Sequence, residues 1–275
     1  MFKPKLSHQA AAIVTGAGSG IGQAFAIEIA KRGGKVVCAD INLISAQQTV
    51  ALITAKGGKA VAVDCDVTVL ANVEALAQQA EQWFGQPANL VINNAGVGAG
   101  GLPIGEISMD DWHWVMGVNL WGVIHGCHVF SQKLRALGRG GIINVASTAS
   151  FAAAPLMGPY NVTKAAVLAL TETLAAEMSG TGVSVTALCP TLVQTNIARD
   201  GRISAESSGF AEKLMKWTGV PADGVVRKTL DALDRDQLYV LPQIEARLIW
   251  RMKRLLPRSY AKGAGLLSRL ADSKR

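Results

Sequence analysis

No apolar run in the 275 residues reaches the roughly 18 uncharged positions that a membrane-crossing helix needs. The N-terminal stretch MFKPKLSHQAAAIVTG lacks the apolar block and small-residue cleavage site of a secretory signal, so the expectation is a soluble, cytoplasmic chain. Cysteine is sparse. Cys38, Cys65, Cys127 and Cys189 are widely scattered, lack metal-site pair spacing and mostly lie in strand-like apolar runs, which reads as reduced core thiols of an intracellular protein. The four histidines, His8, His113, His125 and His128, have no spaced ligand partners either, so no metal is expected. Net charge is absent from most of the chain: the first 244 residues carry 18 basic and 18 acidic side chains. Internal repeats and low-complexity tracts are also missing.

The composition that remains, 49% apolar and 17% charged, is enough to bury a core of ordinary size, and the length favours one large domain. Up to about residue 190 the pattern alternates. Short apolar runs, AAIVTG at 11, KVVCAD at 35, KAVAVDCD at 59, NLVINNAG at 89, GIINVAS at 141 and VSVTALCP at 183, are rich in Val and Ile and read as strands buried on both faces. Helical stretches at 20–32, 43–56, 70–84, 109–137 and 159–180 separate them. Repeated strand-helix-strand units imply a doubly wound parallel sheet covered by helices, an α/β domain over residues 1–243. Ligands of such sheets bind beyond the carboxyl ends of the strands, where strand order reverses.

The segment 191–220 breaks this rhythm, mixing Gly, Ser and charges with Phe210, Leu214, Met215 and Trp217 at near-helical spacing. It reads as a lid over an apolar substrate, with Phe151, Leu156 and Met157 on the opposite wall, or as residues that only seal the core. A helix at 221–234 and a short strand around QLYVLP follow.

Strand AAIVTG runs into GAGSGIG and then a helix, which puts Gly16, Gly18, Gly20 and Gly22 where a phosphate-binding turn needs bare backbone. The spacing is not the literal GxGxxG, so glycines alone argue weakly. Asp40, closing the second strand, adds weight: a carboxylate there accepts hydrogen bonds from both ribose hydroxyls and repels a 2′-phosphate. Its neighbours in the motif, Ser19 and Ile41, offer no positive charge against that repulsion, which favours NAD over NADP.

These residues belong to a longer ordered set. TGAGSGIG at 15–22, DCDV with Asp66, NNAG at 93–96, Asn119 in VNLWG, Ser147 and Tyr160-Asn-Val-Thr-Lys164 together resemble the short-chain dehydrogenase/reductase family, over roughly residues 9–195. The resemblance implies a Rossmann-type fold and an NAD-dependent oxidoreductase. It implies cofactor contacts at Gly16, Ser19, Gly20, Ile21, Gly22, Asp40, Asp66, Val67, Asn93, Ala95, Gly96, Tyr160, Lys164, Pro190, Val193 and Thr195. It also implies catalysis by Ser147, Tyr160 and Lys164, with Lys164 bonding the nicotinamide ribose and Asn119 interrupting its helix to join a proton relay. Where the family usually has Pro-Gly after the sixth strand, this chain has Pro190-Thr191, a departure that bears on the loop carrying Thr195.

The chemistry follows from spacing. Residues four apart on a helix share a face, so Tyr160 and Lys164 project together. The ammonium and an oxidised nicotinamide ring both favour phenolate, letting Tyr160 take a proton from a substrate alcohol. The expected substrate is a hydrophobic secondary alcohol or ketone. A catalytically idle dinucleotide-binding redox sensor or scaffold is the rival; retention of both Tyr160 and Lys164 speaks against it. Trp112, Trp114 and Trp121 read as packing between helices or subunits, in keeping with an expected homo-oligomer, a dimer or tetramer.

The tail is a separate problem. Residues 245–275 hold nine Lys or Arg against Glu245 and Asp272, the whole net charge of +7. Ile244, Leu248, Ile249, Met252, Leu255 and Leu256 mark one side of a helix, and Arg247, Arg251, Arg254 and Arg258 lie around it, so 244–275 reads as a basic amphipathic extension. Docking on the body or a second subunit is the favoured role; peripheral contact with an anionic membrane comes next. Nucleic acid is not expected, since no recognition motif accompanies the charge.

Overall fold

The computed structural model describes residues 5–197, 199, 201–204, 209 and 216–272, with side chains as far as Leu266. Nine strands are found among these residues: β1 (Ala11–Thr15), β2 (Lys35–Asp40), β3 (Lys59–Asp64), β4 (Leu90–Asn93), β5 (Ala99–Gly100), β6 (Gly140–Val145), β7 (Val183–Leu188), β8 (Arg202–Ile203) and β9 (Tyr239–Val240). Seven of them form one parallel sheet in the order β3-β2-β1-β4-β6-β7-β9, with β5 and β8 paired apart. Strand order reverses between β1 and β4, which opens a crevice at their carboxyl ends.

The central strands are hydrophobic on consecutive residues because both faces are covered. Along β1, Ala11 and Ile13 point into one core, with Phe84, Phe130, Leu134 and Leu174. Ala12 and Val14 point into the other, with Phe25, Ile29, Ile53 and Leu230. Alternation with a period of two therefore feeds two helix layers at once. One layer holds α1 (Gly20–Lys31), α2 (Leu43–Thr54) and α8 (Ala222–Leu233); the other holds α3 (Leu70–Phe84), α5 (Gly122–Leu137) and α7 (Gly158–Glu177). Gly85 and Gly138, at φ of +71° and +67°, end α3 and α5 in the left-handed conformation that glycine adopts without a Cβ penalty.

One expectation changes. β3 is half-exposed because it is the sheet edge, with a neighbour on one side alone. The helical stretch 109–137 is divided into α4 (Met109–Met116), a π-helical turn at Gly117–Trp121, and α5, a break at Asn119 that the family resemblance implied and periodicity alone did not show. The π turn adds a residue per turn and swings Asn119 inward. The short helix α6 (Ala149–Ala152) follows β6, and the tail forms α9 (Ile244–Leu255) and α10 (Pro257–Asp272). No described helix is long and apolar enough to cross a membrane.

Candidate active site

The crevice at the strand ends is a cleft of about 970 Å³, lined from Gly16 and Asp40 at one end to Tyr160, Met157 and Ile203 at the other. Its floor begins at the glycine turn. Gly16 and Gly20 have φ of +62° and +55°, and a Cβ on Gly16 would stand 2.8 Å from the Ala95 Cα, so only glycine fits. A Cβ on Gly22 would reach the Gly16 carbonyl at 2.0 Å. Gly22 therefore serves α1 packing beneath the turn and does not line the cleft. Asn94 holds the turn from the other side, its Nδ2 donating to the Thr15 and Gly16 carbonyls at 2.8 and 3.2 Å. Ser19, which precedes α1 in an extended conformation, and Ile21 line the cleft above.

Asp40 leaves the end of β2 and accepts from the Gly18 and Asn42 backbone N–H groups at 2.8 and 2.9 Å. These bonds fix the carboxylate toward the cleft. Asp66 and Val67 stand at the next strand end; Thr68 occupies one Asp66 oxygen from both its N–H and its hydroxyl, at 2.9 and 2.7 Å. Bare backbone at a helix start, with a ribose-height carboxylate beyond it, is a cradle that fits a dinucleotide, and among the described residues Lys164 is the only lysine or arginine that lines the cleft.

At the opposite end, Ser147 lies two residues past the end of β6, and Tyr160 and Lys164 share a face of α7. The Lys164 Nζ lies 5.7 Å from the centre of the Tyr160 ring and donates to the Val145 carbonyl at 2.8 Å. Burial pushes Lys164 down from 10.5 to about 8. Burial also raises Tyr160, against the opposing pull of a hydrogen bond with Ser147. For these side chains by themselves, desolvation in a low-dielectric site opposes each charged form; the expected fall of the phenol joined the ammonium with the charged ring of an oxidised nicotinamide.

Asn119 lies one layer deeper. Its carboxamide takes the Val97 N–H at 2.7 Å and gives an N–H to the Val97 carbonyl at 2.9 Å, behind Gly96. Ala95, Gly96, Pro190, Val193 and Thr195 line the cleft. The Thr195 methyl stands 3.0 Å from where a Gly20 Cβ would be, so this side chain closes over the glycine turn. Thr191, at the departure from Pro-Gly, is tied by its N–H to the Gln243 Oε1 at 3.1 Å. Asn93 is not brought to the cleft: it turns into the core and donates to the Asn144 Oδ1 at 2.8 Å.

Leu156 and Met157 form a wall, whereas Phe151 packs toward the core. Phe210, Leu214 and Met215 lie outside the described residues; Trp217 is 87% exposed and does not line the cleft. Sequence reasoning missed Trp114, Val118, Asn196, Ile197 and Ile203 as lining residues. Trp114 was assigned to packing, yet it borders the cleft while Arg202 lies 4.4 Å over its ring and reaches Asp111 at 3.1 Å. The β5–β8 pairing that brings them together joins residues about 100 positions apart, which leaves no local signal.

The short chain dehydrogenase family model matches residues 10–205. The chain is 32% identical over 263 residues to the probable oxidoreductase EphD of Mycobacterium tuberculosis, covering 92% of this chain but 44% of that protein, so it spans under half the relative's length. It is 34% identical over 259 residues to 1-deoxy-11-beta-hydroxypentalenate dehydrogenase of Streptomyces exfoliatus, covering 90% and 91% of the two chains. A short-chain dehydrogenase/reductase from Burkholderia phymatum, solved with NAD, superposes with a TM-score of 0.86 at 34% identity, over 92% of this chain and 95% of that one. With the glycine turn, the strand-end carboxylate and the Ser147, Tyr160 and Lys164 side chains in one cleft, this chain belongs to the short-chain dehydrogenase family of oxidoreductases.

Proposed function

We propose that the protein transfers a hydride between NAD and a hydrophobic secondary alcohol or its ketone. The observation that carries this reading is the convergence of Ser147, Tyr160 and Lys164 at the apolar end of the cleft whose other end holds Asp40. Bound NAD supplies the hydride acceptor, and its reduced form the donor. Ser147 holds the substrate oxygen by its hydroxyl. Tyr160, as the phenolate that the Lys164 ammonium and the oxidised nicotinamide ring favour, takes the alcohol proton during oxidation and, as the phenol, gives a proton to the carbonyl oxygen during reduction. Lys164, anchored on Val145, stands behind the phenol as the cation, and Asn119, buried and bonded to the Val97 backbone, takes part in the proton relay from Lys164.

Asp40, with no cationic lining residue near it among the described residues, supports NAD over NADP. Trp114, Val118, Leu156, Met157 and Ile203 support an apolar substrate. Thr195, Asn196, Ile197 and Ile203, from the described part of 191–220, complete the pocket wall, and Trp121, which is exposed, is read as part of a subunit contact in a dimer or tetramer.

The test is a screen of aliphatic, aromatic and polycyclic secondary alcohols with NAD and NADP, followed at the reduced-cofactor absorbance. Turnover is expected with NAD and apolar alcohols. Tyr160→Phe should lose at least about 10²-fold in kcat, the lower range for general acid–base groups, while still binding NADH. Turnover confined to small charged hydroxy acids, or undiminished in Tyr160→Phe, refutes the reading.

A further inference from the structure

The arm formed by α9 and α10 has an inner side that the body holds and an outer side that it does not. Inside, Ala246 is buried and the Trp250 ring lies 6.1 Å from Tyr239, whose hydroxyl donates to Glu172 at 2.8 Å. At the base of α9, Gln243 bonds the Thr191 backbone and Glu245 accepts from the Thr191 hydroxyl at 3.1 Å. Outside, Ile244, Leu248, Met252, Leu255 and Leu256 are 53 to 77% exposed.

At about 100° per residue, Ile244, Leu248, Met252 and Leu255 fall within an arc of roughly 80°, and Arg247, Arg251 and Arg254 form the adjoining row. Arg254 lies along the helix surface, 3.6 Å over the Trp250 ring. Arg258 and Lys262 continue the exposed cations into α10. We propose that this outer face is a docking surface for an anionic lipid bilayer, with the leucine row entering the headgroup–acyl boundary and the arginine row lying among the phosphates.

Charge decides among the occupants. The arm carries seven Lys or Arg against Glu245 and Asp272, a net charge of +5, so a second copy laid on the same face would set like charges against each other. A purely apolar partner would leave the arginines without counter-charge. A nucleic-acid duplex would match the arginines and leave the leucine row in water. A bilayer surface of anionic lipid uses both rows at once.

The experiment is co-sedimentation of the full chain with phosphatidylcholine vesicles made with and without phosphatidylglycerol. Binding is expected to be at least about ten-fold stronger with phosphatidylglycerol and to weaken with salt. The double variant Leu248→Ser/Leu255→Ser and, separately, Arg247→Gln/Arg251→Gln should each lose about ten-fold or more, with thermal unfolding unchanged because all four side chains are exposed. Inorganic phosphate at millimolar concentration should not displace the protein, which distinguishes a bilayer from a free-anion site. The proposal is overturned if phosphatidylglycerol vesicles bring down no protein, or if the leucine variant binds as well as the parent. A change in assembly mass in the leucine variant, or tighter binding to a short DNA duplex than to the vesicles, likewise overturns it in favour of that occupant.

Discussion

Lys164 shows how one buried residue sets a pH dependence. Its folded value of about 8 lies below the ordinary 10.5, so between these limits the unfolded chain keeps a proton that the folded chain has released. Stability from this group therefore rises with pH from about 8 to 10.5, by an amount on the order of 3 kcal/mol, and its cost is felt in full below pH 8. Lys164→Met should flatten that rise, a difference measurable as the gap between the denaturation curves of the two proteins at pH 7.5 and pH 10. A parent protein whose stability gap to the variant stays constant over this range would contradict the assigned burial. The spacing of Tyr160 and Lys164 was legible in the sequence; the opposing effects of burial on both groups were not, because exposure depends on what packs over α7.

The π turn at Gly117–Trp121 acts at the scale of the element. Periodicity alone reads 109–137 as continuous, whereas the family resemblance implied a break at Asn119; the wider turn directs Asn119 to Val97, in the loop that follows β4. Asn119→Ala removes the partner of one backbone N–H and one carbonyl together, at about 1–3 kcal/mol for polar groups left unsatisfied. The expected outcome is a lower melting temperature and weaker NADH binding in a fluorescence titration, since the loosened 94–98 loop lines the cleft. Strands were easier to read. Runs of Val and Ile bounded by Gly and Asp placed β1, β2, β6 and β7 to within about two residues at each end, because burial on both faces leaves no other composition tenable, whereas β4 ends at Asn93, short of the run read to Gly96. β5 and β8 were not legible, being two residues each and existing only as a pair.

Across the whole molecule, the helix layer made by α1 and α8 is fastened by Arg32. Its guanidinium meets Glu28 at 3.1 Å, Asp231 at 2.9 Å and Asp234 at 3.8 Å, and donates to Ser7, whose hydroxyl bonds Asp234 at 2.6 Å. Arg32 and Asp234 are largely buried, so removing the cation strands the carboxylate. Arg32→Ala should cost about 3 kcal/mol in chemical denaturation, the lower end for breaking a buried pair. Asp231→Ala, on an exposed partner, should cost less than about 1 kcal/mol. A similar loss in both would show that the network is not buried in solution.

The sequence alone determined the parallel α/β sheet, the glycine turn, the strand-end carboxylate and the shared helix face of Tyr160 and Lys164, because each rests on local spacing or on a composition that only one environment tolerates; Ser147 was implied by the family resemblance. Only the tertiary structure decided that Asn93 and Gly22 serve the core, that Trp114 and Ile203 border the cleft, and that the tail keeps an uncovered face. Those outcomes depend on contacts between residues distant along the chain, and on the solvent exposure those contacts leave, which no periodicity encodes.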